Sequence, residues 1–246
     1  MIMILWALLS APVVGFGGGT VANVLIGLRW LHILAGITWV GLGYFFVLVG
    51  APWQAELAPD ARRVAAPLLM RKALWWFRWS SVFTVFFGLG LWMMEIGIDR
   101  RAAGASHSNI VWSFFLLWTL AFVVYMGILM APVEFLHRGP VLAVLTAALV
   151  LGTACAFLHL NSYGWESNRV LSIGIGGGLG WFMMFNVWGV VWRCQKRLVQ
   201  WTAEGTIPPQ AARMMQLSAL AAKTNAWLSL PMLFFMTVAS HYPLFG

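Results

Sequence analysis

Long apolar runs broken by short polar stretches define this chain. Six of them, at about residues 21–50, 73–97, 110–131, 139–160, 170–194 and 218–240, are long enough to cross the ~30 Å of hydrocarbon in a bilayer. A shorter apolar segment, Met1 to Phe16, ends at Gly17-Gly18-Gly19. It lacks a basic start and a small-residue cleavage site, so it reads as a short span or an interfacial helix rather than a signal peptide. The expected fold is an all-α integral membrane protein, a bundle of six to seven transmembrane helices. Residues 1–19 form an N-terminal apolar segment and residues 20–246 the bundle.

Within the first long run, His32, Gly36, Trp39 and Gly43 are spaced by 4, 7 and 11 residues from the histidine. That spacing puts them on one helix face. An imidazole in an apolar span is costly and calls for a reason. Two readings follow. In one, His32 is an axial ligand of a haem b, and Gly36 and Gly43 make room for the macrocycle. In the other, the glycines serve tight helix packing and His32 bonds across to a neighbouring helix. The fifth run repeats small residues, Gly174/Gly178 and Gly176/Gly180, at the spacing that lets helices touch backbone to backbone. It is no phosphate loop, since no Lys-Ser/Thr follows it. Asn186, in mid-run, requires a partner. The doublets Met93-Met94, Met183-Met184 and Met214-Met215 point to different faces and read as packing.

Composition agrees with the pattern. Of 246 residues, 61% are apolar and 9% charged, against about 25% charged in soluble proteins. The net charge of +8 would suggest nucleic acid in a soluble chain. Here the basic residues lie between the runs, so no nucleic-acid partner is expected; the partner is the lipid bilayer. Arg62, Arg63, Arg71, Lys72, His137, Arg138, Arg193, Lys196, Arg197 and Arg213 fall on one side of an alternating topology. By the positive-inside rule that side is cytoplasmic, which makes the C-terminus periplasmic in a bacterial inner membrane. Cys155 and Cys194 then lie near opposite faces and are too far apart to pair. No Cys-x-x-Cys-His attaches a c-type haem.

The same topology gathers His32, His107, His159 and His241 toward the periplasmic side. Glu95, Asp99, Asn161, Tyr163, Glu166 and Arg169 join them. If one haem is bound, His32 is one ligand. The second comes from His241 or His159; beside His241, Pro243 discourages helix continuation and can fix the terminal turn. Asn161 and Tyr163 lie near His159, either to orient its ring or simply to meet water. No Ser/His/Asp set, paired intramembrane carboxylates or His-Glu-x-x-His supports another enzyme class.

Three stretches carry a family resemblance: Arg29-Trp30-Leu31-His32-Ile33 through Gly41, Trp75-Trp76-Phe77-Arg78-Trp79, and Asn225-Ala226-Trp227-Leu228-Ser229-Leu230-Pro231 through Pro243. Together they resemble the membrane domain of the bacterial membrane-bound urate oxidases, which feed electrons to cytochrome c. The likeness extends over most of residues 24–243 and implies a shared helical scaffold, with His32 and His241 at matching motif positions. The chain departs from that family in three places. Ala51 to Met70 lacks the His-Gly-Gly-Gly-Phe-Tyr segment. Ser80-Ser81 stands where a Glu is expected. The sequence ends at Gly246 without the cytochrome c domain. A polar substrate needs buried donors, and the first loop no longer supplies them.

The expectation is therefore an integral-membrane redox subunit, binding haem b near the periplasmic face and passing electrons to a periplasmic cytochrome c or to other membrane subunits. Independent catalysis is not required; if present, it is that of an oxidoreductase. The alternatives are a non-catalytic subunit of a larger membrane complex and a urate or purine oxidase that borrows a separate cytochrome c.

Overall fold

The computed structural model describes residues 19–245. Those residues are all-helical, with no strand among them. The helices are α1 (Thr20–Tyr44), α2 (Ala51–Glu56), α3 (Pro59–Ala103), α4 (Ile110–Met130), α5 (Gly139–Leu160), α6 (Asn168–Asn186), α7 (Trp192–Glu204) and α8 (Ala211–His241). The segment expected over residues 1–19 falls, except for Gly19, outside the described residues.

Five helical stretches are long and apolar enough to cross a membrane: Thr20–Glu56, Pro59–Ala103, Ile110–Met130, Gly139–Leu160 and Asn168–Glu204. The sixth expected span, in α8, is not among them. Lys223, Thr224, Asn225 and Ser229 interrupt its apolar run; Asn225 and Ser229 have partners on other helices, and Lys223 is exposed. Helices also extend past the expected span ends. The basic stretch 51–72, expected as a loop, is helical except for a break at Leu57–Ala58. Pro59 is accommodated in the first turn of α3, just after that break, where the backbone N–H has no helical partner to lose.

Two segments wind more widely, with π-type hydrogen bonding: Phe45–Gly50 joins α1 to α2 and Val187–Val191 joins α6 to α7. α3 ends on Gly104 at φ 64°, which lets the chain turn where a side chain is disfavoured.

α6 is the hub, packed on α3, α4, α5 and α8. Its glycine rows divide the work. Gly176 and Gly180 bring α6 up to Met232 of α8, while Gly174 and Gly178 receive the rings of Phe157, Trp92 and Trp118. Trp92, Phe114, Trp118, Tyr125, Phe157 and Phe182 fill the interior around this helix. Outward positions are apolar as well: Ile37, Leu48, Phe86, Trp112, Leu116 and Val144 are each at least 66% exposed. Apolar exposure on this scale marks a surface that meets something other than water.

Candidate functional site

Tyr44 closes α1 and lines a large cavity. Its hydroxyl lies 2.7 Å from the Ser229 hydroxyl of α8. Asn225, one helical turn before Ser229, donates to the Met183 carbonyl and accepts from the Asn186 amide at 2.9 Å. Asn186 also donates to the Ala221 carbonyl, so the mid-run amide has the interhelical partner it required. Ser218, two turns before Asn225, accepts from Gln195 of α7 at 2.8 Å. Ser218, Asn225 and Ser229 thus repeat on α8 the 7- and 11-residue spacing of the α1 face. They face a cleft of about 900 Å³ between α1, α3, α7 and α8. Trp39, Phe77, Leu74 and Met183 form apolar walls; Lys223, Gln54, Arg62 and Arg63 stand at its polar margin.

Both π-type segments border this cleft, through Phe46 and Val47 on one side and Val191 on the other. Such windings are rare in proteins and concentrate at functional sites. An apolar cleft with a few converging amides and hydroxyls is what small-molecule sites look like.

The α1 face predicted from sequence is real, and α3 covers it. His32 Nδ1 lies 2.7 Å from the Thr84 carbonyl oxygen. Gly36 meets Thr84 at 3.7 Å and Gly43 meets Phe77 at 3.6 Å, both measured from where a β-carbon would be. Trp39 is buried between them. The space beside the glycines is therefore taken by a helix. No Nε2 hydrogen bond to His32 occurs among the described residues.

The other histidines are more open. His241 is exposed, with Nδ1 2.9 Å from the Thr237 carbonyl of its own helix. It borders a second cavity, of about 420 Å³, with Asp99, Asn168 and Arg169. His159 and His107 are exposed. Asn161 bonds to Ser113 and Phe157, and Tyr163 accepts from Asn109, so neither orients the His159 ring. Neither cavity is lined by His32 or His159. Among the described residues no three His, Cys, Asp or Glu side chains gather as a metal-holding group. Cys155 and Cys194 are free.

Reading the sequence missed two groupings. One is the α8 polar row, whose signal was the Ser218/Asn225/Ser229 spacing. The other is an ion cluster at the opposite end of the bundle. The buried Glu95 carboxylate takes Arg169 at 3.2 Å on both oxygens and Arg29 at 3.4 Å. The topology had placed Glu95 and Arg169 on one side, but their pairing and Arg29 were not legible, because the members come from three helices.

Fold and site together define an apolar helical bundle with one large, polar-edged cleft. The urate oxidase N-terminal family model matches residues 59–245. The chain belongs to this family. The match includes the Trp75–Trp79 and Asn225–Pro243 motifs and leaves α1, with His32, Gly36 and Gly43, outside it. No curated protein and no solved structure matches the chain.

Proposed function

We propose that this chain is a multi-pass membrane redox protein of the urate oxidase type, which takes a small planar nitrogenous ring of the oxidised-purine class into the cleft and passes electrons to a separate cytochrome c. The observation that carries this reading is the α8 row of Ser218, Asn225 and Ser229 along the cleft wall. Purine edges alternate donors and acceptors, and an amide side chain presents both. Trp39 and Phe77 supply flat aromatic walls for a planar ring. The donors that the first loop lacks are thus available from α8. Family membership supports the reaction class. Five apolar helices and the outward apolar side chains support the bilayer.

Each turnover removes two electrons and two protons from the ring. Water supplies the incoming oxygen, and two ferric c-type cytochromes take one electron each. With the basic loops cytoplasmic, the cleft opens on the cytoplasmic side and the C-terminus is periplasmic.

A second reading is favoured by the His32–Thr84 hydrogen bond. Histidines that ligate metals commonly use one ring nitrogen on a carbonyl, which leaves the other for the metal. His32 then offers Nε2 to the iron of a haem b, with His241 or His159 as the second ligand. Because α3 fills the glycine face, this reading rests on Nε2 and not on room beside Gly36 and Gly43. Trp39 and Gly43 share that face and also line the cleft, so a haem at His32 would stand on the cleft's periplasmic side.

The test is urate-dependent reduction of ferric cytochrome c by membranes containing the chain, with dithionite-reduced minus oxidised spectra of the purified protein. Reduction lost in Asn225→Ala is the expected result. No turnover and no purine binding overturns the first reading, and absence of a haem band overturns the second. Co-purification of a larger complex in that case returns the chain to a structural subunit.

A further inference from the structure

Arg78 stands in α3 five residues past the start of the apolar run at Ala73, about 7.5 Å along the helix. Its guanidinium carbon lies 4.0 Å from the Trp192 ring centre, 5.4 Å from Trp188 and 5.6 Å from Trp79. These indoles stabilise the cation through their faces. They do not accept its N–H bonds. Among the described residues Arg78 makes no side-chain hydrogen bond and no salt bridge, and its Nε is buried without a partner. Of the other arginines, Arg29, Arg62, Arg63, Arg100, Arg169 and Arg213 each donate to an oxygen, and Arg71, Arg101, Arg138, Arg193 and Arg197 are exposed. An ionised side chain in an apolar span is costly and calls for a partner.

We propose that Arg78 and its three tryptophans hold the phosphate of an anionic phospholipid at the basic end of the bundle. The proposal rests on the membrane reading given above. Charge favours this occupant. Arg71 lies two turns earlier on the same α3 face, and Lys196 lies one turn past Trp192 on α7; both are exposed. No Asp or Glu lies on α3 between Asp60 and Glu95, or on α7 before Glu204, so the local field is unopposed. A phosphodiester offers two acceptor oxygens that match the guanidinium fork. Trp75 and Trp76, exposed on the same stretch of α3, are the residue type that sits at headgroup depth. Basic pockets between helices on the cytoplasmic side bind such headgroups.

The test is native mass spectrometry of the full chain in mild detergent, with equal phosphatidylglycerol and phosphatidylcholine added. Retention of phosphatidylglycerol should exceed that of phosphatidylcholine about tenfold, and Arg78→Gln should abolish the difference. Arg78→Lys, which keeps the charge and loses the fork, should retain only part of it. Lys196→Gln, on the exposed rim, should lower it about two- to threefold and keeps the proposal testable if the Arg78 variants fail to fold. Equal retention of the two lipids, or an undiminished preference in Arg78→Gln or, failing that variant, in Lys196→Gln, overturns the proposal. So does displacement of the lipid by an equal concentration of inorganic phosphate, which would make this a free-phosphate site. Absence of the wild-type chain from the membrane fraction would instead refute the membrane reading.

Discussion

Gly88 of α3 lies against the Nδ1–Cε1 side of the His32 imidazole. A β-carbon at Gly88 would stand 2.8 Å from both Cε1 and Nδ1 of that ring. The histidine keeps its 2.7 Å bond to the Thr84 carbonyl only because residue 88 has no side chain. Gly88→Ala should push the ring aside, break that bond and cost about 1–3 kcal/mol. Thermal unfolding in detergent reads the loss. Gly27→Ala is the control, since nothing lies within 4 Å of a β-carbon there. If His32 also holds a haem, Gly88→Ala should shift its spectrum, while Gly27→Ala leaves it unchanged.

Asn186 and Asn225 form a fully inward amide pair beside the cleft. Asn186→Ala leaves the buried Asn225 amide oxygen without its donor and removes a second bond from the Ala221 carbonyl, at a cost of about 1–3 kcal/mol. Asn225→Ala should destabilise by a similar amount and also weaken purine binding, because Asn225 lines the cleft and Asn186 does not. Calorimetric titration with urate separates the two. Equal affinity for urate in wild type and Asn225→Ala would remove the cleft from the functional argument.

Glu95 ties α1, α3 and α6 together through Arg29 and Arg169. Its own side chain is 6% exposed and both arginines are 43% exposed. Glu95→Gln removes the charge while keeping the shape. It should cost about 1.5–3 kcal/mol, the range for hydrogen bonds to charged groups, toward the lower end because the arginines regain water. High salt should change the wild-type melting temperature little, since a buried carboxylate is weakly screened.

Gly176 stands within 3.2 Å of the Met232 carbonyl oxygen and 3.1 Å of the Phe235 β-carbon, measured from its own missing β-carbon. Backbone cannot retreat as a flexible side chain does. Gly176→Ala should therefore separate α6 from α8 and destabilise by about 1–3 kcal/mol. Gly152→Ala on α5 has nothing within 4 Å and should be neutral or mildly stabilising through its helix propensity. Cross-linking between α6 and α8, compared across the two variants, reads the separation directly.

Ser167 caps α6, its hydroxyl accepting from the Val170 amide at 3.2 Å. Ser167→Ala should cost about 1 kcal/mol and loosen the first turn. Hydrogen exchange at Val170 should quicken without change in the middle of α6.

What the sequence determined is what depends on neighbours along the chain. Apolar runs of spanning length and the 3.6-residue period dictate helices, and the period placed His32, Gly36, Trp39 and Gly43 on one face. The Gly176/Gly180 row was legible as a packing face for the same reason. Tertiary structure decided what each face meets, because that depends on residues far apart in the chain. The α1 face is filled by α3, through a bond spanning 52 positions. Tyr44 meets Ser229 across 185 positions. Glu95 draws its arginines from two other helices. Periodicity reports the direction of a side chain, whereas the partner in that direction is set by how the helices pack. Only packing could therefore turn the polar row of α8 into a cleft wall.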